Sequence, residues 1–135
     1  MNKVFCIDDD TVALMLYKIM LNKSLFTSEI ISALNGQEAL DYYKKLSEST
    51  SEDEKADYPR LIFLDLNMPV MGGWEFLENF RASYFNNFEE TKVIILSSTI
   101  DPEDFQKAEQ YPMVIKLLSK PLTRDMLKYI KEKLI

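Results

Sequence analysis

The sequence predicts a doubly wound α/β domain, a parallel sheet with helices on both faces. Three observations lead there. Short apolar runs alternate with longer segments whose apolar residues recur at helical spacing, in the order βαβαβαβαβα. The central runs, Phe5-Cys6-Ile7, Leu61-Ile62-Phe63-Leu64 and Val93-Ile94-Ile95-Leu96, lack the polar alternation of a half-exposed strand, so they read as strands covered on both sides. Several runs also end abruptly in a polar residue, placing chemistry at the carboxyl edge of the sheet, where open parallel sheets bind ligands.

In chain order, Lys3 to Ile7 is a short strand ending in Asp8-Asp9-Asp10, and residues 11–21 follow as a helix rich in Leu, Met and Ile that Asp10 is placed to cap. Its apolar residues (Ala13, Leu14, Met15, Leu16, Met20, Leu21) exceed a single stripe, so part of the surplus is expected at the surface, with Ala13 and Leu16 as the candidates. Residues 28–32 form a short strand ending near Ala33-Leu34, Asn35-Gly36 a turn, and residues 37–46 a helix with Ala39, Leu40, Tyr43 and Leu46 on one face. Residues 47–57 carry Ser, Glu and Asp without apolar periodicity and are read as a solvated, mobile loop.

The third strand, residues 61–65, closes on Asp65. Asn67-Met68-Pro69 then keeps the chain extended, because proline disfavours helical backbone in the residue before it. Gly72-Gly73 is expected to let the chain turn into a helix that runs from Gly73 into residues 81–85, buries Phe76, Leu77 and Phe80, and ends at Asn86-Asn87. Residues 92–96 are a fully apolar strand leading into Ser97-Ser98-Thr99. A short helix opens at Asp101-Pro102 and reaches about Gln110, with proline in the first turn, where its missing N–H does no harm. Residues 113–118 are the last strand, followed by Ser119-Lys120-Pro121 and a helix over Arg124 to Leu134 capped by Thr123.

Composition narrows the chemistry. The chain has 135 residues, enough for one domain with a sizeable core, and 16 basic against 22 acidic residues give a net charge of −6, which argues against nonspecific nucleic-acid binding. There is no histidine and one cysteine, Cys6, so neither zinc ligation nor thiol–imidazole catalysis has its residues. A lone buried thiol suits a reducing compartment, no signal peptide or membrane span is evident, and a cytoplasmic location is expected.

Carboxylates, hydroxyls and lysines remain. Asp8, Asp9, Asp65, Ser97 and Lys120 each lie at or just past the end of a different strand or of the first one, so a parallel fold gathers them. Three clustered aspartates repel one another, and a hard divalent cation resolves the repulsion; Mg²⁺ suits one or two carboxylates, a carbonyl and retained waters. Three carboxylates, one Mg²⁺ and one Lys⁺ sum to zero charge, so a phosphoryl group could approach. Singly, each motif has a plainer explanation: Asp8 to Asp10 as helix-capping acids, Lys120-Pro121 as loop, Ser97 as a strand end. Their joint occurrence is what points to function.

This set, Asp8-Asp9, the Leu-Asp-Leu-Asn-Met-Pro run around Asp65, Ser97 and Lys120-Pro121, resembles the receiver domain of bacterial two-component response regulators, the chemotaxis receivers among them, over essentially the whole chain. The resemblance implies a flavodoxin-like (βα)5 sandwich with strand order 2-1-3-4-5. It implies that Asp65 is the phosphoacceptor, with Lys120 and Ser97 binding the phosphoryl group. Asp9, Asp65 and the backbone carbonyl of Asn67 would ligate Mg²⁺ (Mn²⁺ is an alternative), and Asp8 would act through a metal-bound water. Asn67 and Thr99 would tune dephosphorylation, and the bond before Pro121 is often cis in relatives. The implied donor is a sensor histidine kinase or a histidine phosphotransfer protein, which docks on the first helix, with a further protein target downstream and neither nucleic acid nor membrane as partner.

The expected behaviour is that of a self-catalysed phosphoacceptor, not a turnover enzyme, in a single receiver domain over residues 1–135 without an effector domain. The sequence departs from the family at Leu117, where an aromatic residue usually stands three before the lysine, and at Gly72, where Asp is usual. Leu117 is the one support for an alternative, a receiver-like binding module that works without phosphorylation. A phosphatase of the aspartyl-nucleophile type is disfavoured, because Asn67 cannot supply the second acid two residues after Asp65.

Overall fold

A computed structural model describes residues 3–24, 26–27 and 29–134. Its sheet has five strands in the order β2-β1-β3-β4-β5: β1 (Lys3–Ile7), β2 (Glu29–Ala33), β3 (Leu61–Leu64), β4 (Lys92–Ser97) and β5 (Val114–Ser119). Every neighbouring pair is parallel. The helices are α1 (Thr11–Lys23), α2 (Gly36–Glu48), α3 (Glu52–Ala56), α4 (Gly73–Ser83), α5 (Pro102–Ala108) and α6 (Arg124–Leu134), with a 3-10 turn at Phe85–Asn87 after α4.

Period-two alternation divides the core into two layers. Phe5, Ile7, Ile62, Leu64, Val93 and Ile95 face α2, α4 and α5, where Ala39, Tyr43, Phe76, Leu77, Phe80 and Ala108 meet them. Val4, Cys6, Leu61, Phe63, Ile94 and Leu96 face α1 and α6 and pack on Leu14, Tyr17, Leu21, Leu127 and Ile130. Both faces of the three central strands are therefore covered, as their unbroken apolar runs require. Burial pushes the Cys6 thiol up to about 12, against the lowering influence of Lys18, so it remains an inert packed group.

The caps follow the local chemistry. Asp10 accepts the Val12 and Ala13 amides, Asn35 accepts the Glu38 amide, and Thr123 accepts the Met126 amide. Pro102 stands in the first turn of α5, where the Asp104 carboxylate accepts the Asp101 amide at 2.9 Å.

Two local expectations need correction. The segment over residues 47–57 is not wholly loop, since α3 forms within it: Ser51 caps the Glu54 amide, and Glu52, Asp53 and Glu54 place negative charge at the helix N-terminus. No residue of α3 is buried, so its solvated character stands. Strand β2 ends at Ala33, as expected, and the start expected at Ser28 lies outside the described residues. Gly72-Gly73 serves close approach and not an unusual turn, because no described glycine has a positive φ. A Cβ on Gly73 would stand 2.5 Å from the carbonyl oxygen of Asp65. The left-handed residue of this loop is Val70, at φ 67°.

Candidate phosphoacceptor and metal site

The parallel arrangement brings the ends of β1, β3, β4 and β5 to one edge, and Asp8, Asp9, Asp65, Ser97 and Lys120 come with them. Asp8 follows β1 directly and is buried. Its Oδ1 accepts the Asp10 amide at 3.0 Å. Its Oδ2 accepts the Tyr17 hydroxyl at 3.1 Å and pairs with Lys120 Nζ at 2.7 Å. Asp9, the next residue, is exposed.

Asp65 begins where β3 ends, and its amide still donates to the Ile7 carbonyl at 2.9 Å, so its backbone is held by the sheet. The residue is 6% exposed. Burial and then the charge of Asp8 push its carboxyl up to about 6; Lys120 and the Asn67 amide oppose this, and Asp9 adds to it. Lys120 Nζ is 3.6 Å from Asp65 Oδ2. Burial acts to lower the lysine pKa, but Asp8, with a smaller part from Asp65, outweighs it and the net shift is upward, so the ammonium is retained.

One ligand atom from each of Asp8, Asp9 and Asp65 can be chosen so that all lie within 4.8 Å of one another. Oxygen donors so grouped, two of them buried and one open to solvent, fit a hard divalent cation that keeps part of its water shell. Asn67, expected to add its backbone carbonyl, is exposed in the loop that leaves Asp65.

Ser97 is the last residue of β4 and fully buried. Its hydroxyl donates to the Thr99 carbonyl at 2.8 Å and accepts the Thr99 amide at 3.3 Å, so it is engaged by its own loop. The Lys120 amide donates to the Ser97 carbonyl at 3.0 Å, fastening β5 to β4 at the site, and the Lys120-Pro121 bond is cis. Leu117, in the position where the family usually has an aromatic residue, pairs with Ile95 and is buried in the core. Tyr17 was missed by sequence reasoning: its place on the inner stripe of α1, between Leu14 and Leu21, reads as plain core.

Comparison with known proteins agrees with this geometry. The family model described as the response regulator receiver domain matches residues 4–131. A two-component response regulator from Cytophaga hutchinsonii superposes with a TM-score of 0.87 at 30% identity, over 99% of this chain and 96% of that one. A response regulator receiver protein from Dyadobacter fermentans superposes with a TM-score of 0.79 at 28% identity, over 99% and 98%. The probable methanogenesis regulatory protein FilR2 of Methanothrix harundinacea is 26% identical over 97% of this chain and 79% of its own length. With its sheet order, its strand-end acids and a match covering nearly all of its length, the chain belongs to the response regulator receiver domain family.

Proposed function

We propose that this chain takes a phosphoryl group from a phosphohistidine donor onto Asp65 in a Mg²⁺-dependent reaction, and signals through the resulting change of conformation. The observation that carries the proposal is the position of Lys120, whose ammonium lies 2.7 Å from Asp8 and 3.6 Å from Asp65 beside the three-aspartate cluster.

A carboxyl with a pKa of about 6 is mostly ionised at neutral pH, so Asp65 is available as a nucleophile. One of its oxygens attacks phosphorus, the P–N bond to the donor imidazole breaks, and the imidazole leaves with the bonding pair. Asp9, Asp65 and the Asn67 carbonyl would hold Mg²⁺, with Asp8 reached through water, and the ion would supply charge that neutralises the incoming phosphoryl group. Lys120 moves from Asp8 to the phosphoryl group, and Ser97 exchanges the Thr99 carbonyl for a phosphoryl oxygen. That exchange loosens residues 98–101 ahead of α5 and passes the change to the surface. Leu117 is already buried, so this route does not depend on an aromatic side chain swinging inward.

Each chain takes up one phosphoryl group and loses it slowly to water, which makes the protein a phosphoacceptor and not a turnover enzyme. Docking of the histidine donor is supported by an exposed stripe on α1, where Val12, Met15, Leu16 and Ile19 recur at helical spacing. Ala13, beside that stripe, is half-buried. Among the described residues no helix is long and apolar enough to cross a membrane.

The experiment is incubation with Mg²⁺ and phosphoramidate or acetyl phosphate, followed by intact-mass analysis. An acid-stable, base-labile phosphoryl adduct is expected in the wild type and absent in Asp65→Asn. A wild type that takes up no phosphoryl group overturns the proposal.

A further inference from the structure

The hydroxyl of Tyr17 serves no packing purpose. The inner stripe of α1 reads Leu14, Tyr17, Leu21, and a phenylalanine would fill the middle position equally well against Phe63, whose ring centre lies 6.4 Å from that of Tyr17. Burying a hydroxyl in such a layer is unfavourable unless it finds a partner. The partner is Asp8 Oδ2, at 3.1 Å. Burial, then the charge of Asp8 and the hydrogen bond to it, hold the phenol far above its ordinary pKa, so Tyr17 is a proton-bearing donor.

Asp8 is 1% exposed and has three partners. Two of them are fixed by the fold: the Asp10 amide at the start of α1, and Tyr17 two turns further along the same helix. The third, Lys120, stands on a flexible stem and already lies 3.6 Å from Asp65. If Lys120 turns to a phosphoryl group, Oδ2 of a buried carboxylate loses its cation. Without another donor, that loss would hold the lysine where it is.

We propose that Tyr17 is a positioning residue of the phosphoacceptor site: its hydroxyl keeps the buried carboxylate of Asp8 oriented and hydrogen-bonded while Lys120 moves from Asp8 to the phosphoryl group on Asp65. This deepens the proposed function and rests on it. Tyr17 touches neither the acceptor oxygen nor the phosphoryl group; it acts through Asp8, by fixing the carboxylate that would take the metal's water and by lowering the cost of the lysine's departure.

The test compares wild type with Tyr17→Phe, a change that keeps the ring. Mg²⁺ affinity is measured by titration calorimetry without any phosphodonor, the phosphorylation rate with phosphoramidate at saturating Mg²⁺, and stability by thermal melting. Tyr17→Phe is expected to bind Mg²⁺ several-fold more weakly and to be phosphorylated about tenfold more slowly, the scale of one hydrogen bond to a charged group. A purely structural tyrosine would lower the melting temperature and leave Mg²⁺ affinity and rate alone, and that result overturns the inference. Wild-type protein that neither binds Mg²⁺ nor accepts phosphoryl groups overturns the proposed function with it. Normal wild-type behaviour with an unchanged Tyr17→Phe overturns only the role of Tyr17.

Discussion

Lys120 is paired to Asp8 more closely than to Asp65: its ammonium is 2.7 Å from the one and 3.6 Å from the other. The Asp8 side chain is 2% exposed, so the lysine is the cation that makes a buried carboxylate tolerable. Lys120→Met should therefore destabilise the fold by about 3 kcal/mol at neutral pH without divalent cations, the usual scale for breaking a buried pair from one side. Millimolar Mg²⁺ should restore part of the loss, because it binds only the folded cluster. Urea denaturation with and without Mg²⁺ checks both statements, and an unchanged midpoint would show that the pair contributes nothing net.

Asp65 carries the opposite sign. Its carboxyl titrates at about 6 in the folded protein against an ordinary value of 3.8, so the folded state holds the proton more tightly than the unfolded chain. Stability should fall as pH rises from about 4 to about 6, and the whole cost persists above that window. Asp65→Asn removes the ionisation and should stabilise the protein by on the order of 2 kcal/mol at pH 7. The gain should shrink toward zero near pH 4. The difference between variant and wild-type urea midpoints across that range tests it, and a constant difference would mean that Asp65 does not titrate there.

What the sequence discloses and what it conceals divides on physical lines. Strands β1, β3 and β4 are legible because burial on both faces demands an unbroken apolar run, and the gathering of Asp8, Asp65, Ser97 and Lys120 follows once the strands are parallel. Helix α3 is concealed because a Ser51 cap and three acids make it, with no apolar face to show a period. Tyr17 is concealed because a tyrosine in an apolar stripe has the same pattern as a phenylalanine, and its partner Asp8 lies on another element. The positive φ of Val70 is concealed because a β-branched residue is the last to be expected there. Ser97 was placed correctly at its strand end, but the direction of its hydroxyl depends on a loop whose conformation no motif encodes.

Gly73 locks the acceptor loop to the start of α4. A Cβ there would meet the Asp65 carbonyl oxygen at 2.5 Å and Leu66 Cα at 3.0 Å, both backbone atoms that cannot rotate away. The Gly73 amide also donates to the Leu66 carbonyl at 2.9 Å. Gly73→Ala should cost about 2 kcal/mol, overpacking outweighing the small helical gain of alanine, and should slow phosphorylation by displacing the Asp65 backbone. Gly36→Ala should cost less, since part of the crowding there comes from the flexible side chain of Met71. Equal losses of melting temperature in the two variants would contradict this.

Ser97 offers a way to separate phosphorylation from its consequences. The buried hydroxyl bridges the amide and the carbonyl of Thr99, and deleting it in Ser97→Ala should destabilise the unphosphorylated protein by about 1 kcal/mol. Asp65 and Lys120 are untouched, so a phosphoryl adduct should still form with phosphoramidate. The proposed exchange of the hydroxyl from Thr99 to the phosphoryl oxygen, however, has no atom left to perform it. Amide hydrogen exchange over residues 98–101 and α5 should therefore differ between phosphorylated and unphosphorylated wild type, and should be the same in both forms of Ser97→Ala. Ser97→Thr keeps the hydroxyl and should retain the difference. If the alanine variant is phosphorylated and its loop still responds, the change of conformation reaches the surface by another path, and Ser97 only helps to bind the phosphoryl group.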